Sequence, residues 1–445
     1  MTTGVHDDEV PLPPRGSQRW KQMGPGFIWM LSATGSGELL LTPRVGALYG
    51  YQLLWALVLA VVFKWFINRE IGRYTVCTGS SIVEGFAQLP GPKNWALWVI
   101  LAPQLLVVVP AIAGLAGMSA SALALFVPGD AKAWMAALTV ACAVLIVLGR
   151  YQKLEKGATL LATALALASI VAAFIVQPEP ARLAAGALPT VPEKVRFDEV
   201  IPWLGFALSG AAGLLWYSYW VKVKGFGAAA IDTRRPPSEL SEGDRARLAG
   251  WVRHMTMDCT LAVVGTLVVT LAFLVLGTEL LRPRRLVPEE DRVVEILGRL
   301  LGDVWGPVGF WGMVVGLFVA FWATLLSNQD GHGRLYGNGT HLILKSFGVD
   351  RRWARESALR KGYVVVLVTA LPILIFVLVG NPVSLLKVAG SIEAIHIPVI
   401  AVLALLVNRR LPRGLAPSRF ATVATSLGAL FFAMFAVLYL LGLVT

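Results

Sequence analysis

Apolar runs of about 20 residues recur along the whole chain, separated by short stretches rich in charge, Pro and Gly. A helix of that length crosses the hydrocarbon core of a bilayer. The pattern predicts spans near 26–48, 51–68, 95–126, 133–149, 157–177, 199–220, 256–278, 305–327, 362–379, 383–407 and 420–443. That makes about eleven transmembrane helices and an all-α integral membrane protein.

Two of these runs are interrupted. Span 1 contains "SATGSGE", residues 32–38, and span 6, five spans later, contains "ALSGAAG", residues 207–213. Clustered Gly weakens a helix and permits close backbone approach. Broken helices in corresponding positions of two halves point to a transporter site at the bilayer midplane. Helices 1 and 6 are therefore expected to be discontinuous, near residues 34–38 and 209–215. Small residues also serve tight helix packing in membranes, and for span 6 that reading stands beside the first. Packing does not call for Glu38. A carboxylate at this depth costs several kcal/mol unless paired or hydrated, so it marks function. Helix 1 would stop near Thr34, unwind through Gly35, Ser36 and Gly37, and resume at Glu38. Freed carbonyls, the Thr34 and Ser36 hydroxyls and the Glu38 carboxylate then form an oxygen-rich cluster suited to a hard cation. Ser209 and Gly210 occupy the corresponding place in span 6. Glu38 would also sit at a helix N-terminus, where the dipole favours negative charge.

Composition agrees with the membrane reading. The chain is 56% hydrophobic and 15% charged, far from the soluble average. Its net charge of +12 suggests nucleic acid, but the basic residues fall in alternate loops, such as Arg150, Lys153 and Lys156 or Arg409, Arg410 and Arg413. That positive-inside pattern predicts a multi-pass protein of the plasma or inner membrane, with a cytoplasmic N-terminus and an external C-terminus. Residues 1–22 are polar, lack an apolar h-region and read as a disordered cytoplasmic tail. Residues 225–250 read as the main cytoplasmic loop. Cys77, Cys142 and Cys259 are too scattered for a disulfide framework or a zinc site. Walker A, H-E-x-x-H and nucleophile-elbow sequences do not occur, so neither an enzyme nor a resident cofactor is expected.

Other polar residues lie within the spans. "WYSYW", residues 216–220, places Trp216 and Tyr217 directly after the second interruption, where ring faces could hold an organic cation. The alternative is aromatic packing, favoured for Tyr219 and Trp220. "SNQDGHG", residues 327–333, offers Asn328, Asp330 and His332 to an inner vestibule or to a helix end at the cytoplasmic surface. Glu393 and His396 lie three apart on one face of span 10, as a proton or ion relay or as partners of Lys387. Asp258 reads as solvated near a span end, and Lys64 and Arg69 as snorkelling to the interface from the end of helix 2.

"GPGFIWMLSATGSGELLLTPRVGALYGYQLLWALVLA" resembles the first two helices of the Nramp (natural resistance-associated macrophage protein) metal-ion transporters. "GRYTVCTGSSIVEGF", "YQKLEKGATLLATALALA" and "AGALPTVP" fit the same template, in order along essentially the whole chain. The resemblance implies a 5+5 inverted repeat with one extra helix. The boundaries become a tail at 1–22, a first repeat at 23–178, a second at 199–408 and an extra C-terminal helix at 417–445. It also implies uptake of divalent metals, proton-coupled or passive.

The departures from the family pattern bear on substrate. Where the family has Asp-Pro-Gly-Asn in helix 1, with Asp and Asn as metal ligands, this chain has Gly35, Ser36, Gly37 and Glu38. Where it has Met-Pro-His in helix 6, this chain has Leu214, Leu215 and Trp216. Loss of the thioether removes the basis for softer metals and leaves Mg²⁺ or Mn²⁺ as suited ions. The acidic residues the family carries on helix 3 are missing from "LAPQLLVVVPAIAGLAG", so transport uncoupled from proton flux is expected. The leading reading is a secondary transporter with Glu38 as the metal ligand and Thr34, Gly35, Ser36, Ser209, Gly210, Trp216 and Tyr217 around it. Two others remain: a transporter of a small organic solute (an amino acid or organic cation), and a transporter-like membrane sensor. Oligomeric state is not legible.

Overall fold

The computed structural model describes residues 9–26, 29, 35–149, 152–231, 239–289 and 292–442, the side chains of 152–156, 158, 159 and 442 excepted. Thr34 lies outside the described residues. Every regular element among them is helical. A short α1 (Gln18–Gln22) precedes the first apolar segment. After Gly35, one π-helical turn (Ser36–Leu41) leads into α2 (Thr42–Tyr49), then α3 (Leu54–Thr78) and α4 (Ile82–Phe86). The long α5 (Trp95–Ala124), α6 (Ala131–Leu148) and α7 (Gln152–Ile175) follow, then α8 (Pro180–Gly186). Next come α9 (Phe197–Phe206), α10 (Ala211–Lys224) and α11 (Glu242–Leu276). The chain closes with α12 (Val293–Ser346), α13 (Glu356–Val365), α14 (Leu371–Val379), α15 (Pro382–Asn408) and α16 (Arg419–Gly442). Among the described residues, eight helical stretches are long and apolar enough to cross a membrane, or nine if the bent pair 160–175 and 180–186 forms one span.

Polar residues explain where helices outrun the hydropathy pattern. Span 2 was expected to end at 68, but α3 continues to Thr78 because its charges are satisfied inside the protein. Glu70 pairs with Arg73 at 2.7 Å, and Arg73 also donates to the carbonyl of Leu415. Span 8 was expected to end at 327, but α12 runs on to Ser346. Its polar continuation is covered by protein: Asp330 pairs with Arg334 at 2.8 Å and with Arg360. The helix is kinked at Trp305 and Gly306, where φ of +65° at Gly306 precedes Pro307.

The N-terminal tail is docked at 9–14, contrary to the expectation of disorder for that part. Val10 is buried and donates its N–H to Asp244, and Trp251 donates its indole N–H to the carbonyl of Pro11. α5 and α15 pack along each other at the centre, with α12 against α5, α9 against α15 and α3 against α10, α11 and α16. The site lies where these layers meet.

Candidate functional site

Two stretches of non-helical backbone, at Gly35 and at 207–210, face each other in the core. Gly35 has non-helical dihedrals (φ −154°, ψ −113°) directly before the π-turn. α9 ends at Phe206 and α10 begins at Ala211, and between them Leu208 takes φ of +70°. The segments touch through backbone: a Cβ on Gly37 would stand 2.8 Å from the carbonyl oxygen of Phe206. Thr42 bridges them further, donating to the Gly37 carbonyl at 2.8 Å and accepting from the Trp203 indole at 2.9 Å.

Helix ends buried in a core leave N–H and C=O groups without partners, and each must be met by something. Glu38 is fully buried and serves both interruptions. Oε1 accepts the N–H of Leu208 at 2.9 Å, and Oε2 accepts that of Gly35 at 3.4 Å. Glu393, from α15, accepts the N–H of Ala212 at 3.3 Å in the first turn of α10. Asp258, from α11, accepts the N–H groups of Gly24 and Gly26 at 3.0 and 2.6 Å. It is buried, so the expectation of a solvated carboxylate is corrected. Lys64 is corrected in the same way: it is fully buried and donates to the carbonyls of Leu204, Gly205, Ala207 and Ser209 at 2.7–2.9 Å. Arg69 keeps partial exposure beside Thr256.

Between the interruptions lies a cavity of about 30 Å³ lined by Ser36, Ser209, Gly210, Trp216, Thr324, Asn328 and Glu393, among others. That volume holds about one or two water-sized particles. The lining offers hydroxyl, amide and carboxylate oxygens. Asn328 spends its Nδ2 on the Thr324 carbonyl at 2.9 Å, which leaves Oδ1 free as a donor of lone pairs. The ionisable group on the wall is Glu393, whereas Glu38 is absent from the lining and accepts backbone N–H groups. Among the described residues no three His, Cys, Asp or Glu converge as a metal-ligand group.

The remaining sequence-selected residues divide. Trp216 lines the cavity and meets the His332 ring edge-on at 4.8 Å between centroids. Tyr217 is buried on another face, its hydroxyl donating to Asp258 at 3.3 Å. His396 does not touch Glu393 directly. Gln104 of α5 stands between them, donating Nε2–H to the Glu393 carboxylate at 3.1 Å and to His396 Nδ1 at 3.0 Å. His396 Nε2 then donates to the Val99 carbonyl at 3.1 Å. Lys387 pairs with Asp198 and Glu199 instead of Glu393. Gln104, Thr324 and the inward Lys64 were not selected from sequence. A Gln in an otherwise apolar span was the available signal for the first.

The architecture is that of a multi-pass helical membrane protein with ionisable groups buried at interrupted segments. The Nramp family (natural resistance-associated macrophage protein-like) matches residues 26–442, and the chain belongs to it. An uncharacterized protein of Pasteurella multocida is 22% identical over 338 residues, 73% of this chain and 72% of that one. The divalent metal cation transporter MntH of Yersinia enterocolitica is 34% identical over 93 residues, 20% of this chain and 23% of that protein's length. Among solved structures, a manganese transporter of Eremococcus coleocola superposes with a TM-score of 0.67 at 15% identity, covering 98% of this chain and 90% of that one. Mhp1 in its inward-facing conformation gives 0.53 at 12% identity, over 98% and 92%. Identities this low describe a shared fold.

Proposed function

We propose that the protein is a secondary transporter that moves a divalent cation through the cavity between two broken helices, those interrupted at Gly35 and at 207–210. The observation that carries this reading is the buried Glu393 carboxylate on the wall of a cavity of about 30 Å³ that Ser36, Ser209, Thr324 and Asn328 also line, with Ala111, Leu115 and Phe206 on its apolar part. Oxygen donors suit hard cations such as Mg²⁺ and Mn²⁺. The cavity is too small for an amino acid, which weighs against the organic-solute reading. Nramp membership and the names of the MntH and manganese-transporter relatives support the metal class. In this reading Glu393, Ser36, Ser209 and Asn328 supply the ligands. Glu38, bonded to Gly35 and Leu208, holds the interruptions in place, while Gly210 packs against Glu393 and Trp216 closes the cavity wall. The five-plus-five arrangement of 23–178 and 199–408 and a cytoplasmic N-terminus belong to the same proposal.

Uptake into proteoliposomes across a panel of Mg²⁺, Mn²⁺, other divalents and neutral amino acids tests it. Divalent uptake is expected, falling at least tenfold in Glu393→Gln, since a lost charge at a dry site exceeds the 1.4 kcal/mol that each factor of ten represents. Amino-acid uptake without divalent uptake would overturn it.

A further inference from the structure

Lys64 lies in the middle of α3, and its ammonium is surrounded by four backbone carbonyls. Leu204 and Gly205 belong to the last turn of α9, whose carbonyls have no partner within that helix. Ala207 and Ser209 belong to the unwound link. The negative end of the α9 dipole adds to the attraction for a cation there. The Phe432 ring of α16 lies 5.4 Å from the ammonium. An ammonium has three protons to give. Four oxygens at 2.7–2.9 Å therefore form a coordination cage of the kind a spherical ion receives, not a set of one-to-one hydrogen bonds. Unwound backbone carbonyls and half-helix C-terminal ends are the groups that hold monovalent cations in interrupted membrane helices.

We propose that this cage is a monovalent-cation site which the chain occupies with its own Lys64 ammonium. The cage then never empties during the cycle, and no free Na⁺ or K⁺ is needed there as a co-ion. Only this second statement rests on the transporter reading. Without Lys64, four buried carbonyls lose their donor, and a small cation or primary ammonium of similar size becomes their natural ligand.

Thermal unfolding of the purified full-length protein tests the cage without reference to what is transported. Lys64→Ala is expected to melt well below wild type. Ammonium, methylammonium, Na⁺ or K⁺ should restore at least half of that loss saturably, at ionic strength held constant with choline chloride. Wild type should show no such response. A folded Lys64→Ala protein that none of these ions stabilises beyond choline would reduce Lys64 to a helix cap and overturn the proposal. Should Lys64→Ala not survive purification, wild-type proteoliposomes decide. With Na⁺ and K⁺ both replaced by choline, initial uptake should stay within twofold, and a tenfold loss restored saturably by either ion overturns the proposal. Absence of divalent uptake in the same vesicles would count against the transported substrate alone.

Discussion

The Glu38 carboxylate accepts the backbone N–H of Leu208 at 2.9 Å, so a side chain of one interrupted segment caps the interruption of the other. Its second oxygen accepts Gly35 N–H in its own segment. Glu38→Gln keeps the volume but turns one acceptor into a donor facing an N–H. One buried N–H is left without a partner, at a cost of about 1–3 kcal/mol. The melting temperature of the solubilised protein should fall, while divalent-cation affinity measured by calorimetry stays within about threefold. A tenfold loss of affinity in a well-folded protein would return Glu38 to the ligand shell.

Close approach of the two segments makes Gly37 equally sensitive. An added Cβ meets only backbone atoms there, the Phe206 carbonyl and the Ala207 nitrogen at 2.8–3.1 Å. Neither can rotate away, so the segments must separate and strain the Glu38–Leu208 bond. Gly37→Ala should destabilise by about 1–3 kcal/mol or more. Gly312→Ala, in α12 with open space around it, should be neutral or stabilising because Ala favours helix. Equal melting temperatures for the two variants would contradict the contact.

The non-helical backbone at Gly35 and 207–210 was legible because Gly-Ser-Gly and Ser-Gly break the apolar pattern locally. The partners that reach them from other helices were not, because they lie 140 or more residues away in sequence. Glu38, Glu393 and Asp258 each meet N–H groups at the start of a helical segment, and Lys64 meets carbonyls at the end of one. The sign of each charge follows the helix dipole it faces. Sequence shows that a charge is present in a span but not the direction its stem takes. Lys64 illustrates this: with helix 2 ended at 68 it belonged near the interface. With α3 running to Thr78 it is central.

Gln104 separates the Glu393 and His396 that sequence spacing placed together, and it donates to both. A primary amide holds its neighbours in position but is a poor proton carrier. Substrate entry into proteoliposomes should therefore not acidify the lumen, as read by an entrapped pH dye. Gln104→Leu, which releases both partners, should lower uptake by disordering Glu393 without introducing proton flux. Stoichiometric acidification that disappears in His396→Gln would establish a relay despite the amide.

The last relationship ties together helices that carry on to the cavity-lining residues Phe206 and Glu393. Arg44 of α2 makes a two-pronged pair with Glu199 of α9, at 2.6 and 2.8 Å, and both are buried. Arg44 also donates to the Pro288 carbonyl and to Glu289, while Lys387 of α15 binds Glu199 and Asp198. Three helices and a loop are thus tied at a single point. Removing one member of a buried pair costs about 3–5 kcal/mol because the other charge is stranded, less whatever Lys387 and Arg196 retain for Glu199 at 2.8 and 3.1 Å. Arg44→Met should accordingly be destabilised, and Arg44→Met with Glu199→Leu should recover part of the loss, since no stranded carboxylate remains. The same single variant should open a path to the cavity. In a Ser36→Cys background, alkylation by a membrane-impermeant reagent should accelerate at least tenfold on adding Arg44→Met. If labelling keeps the same rate while stability falls, the Arg44–Glu199 pair holds the fold together but does not close the path to the cavity.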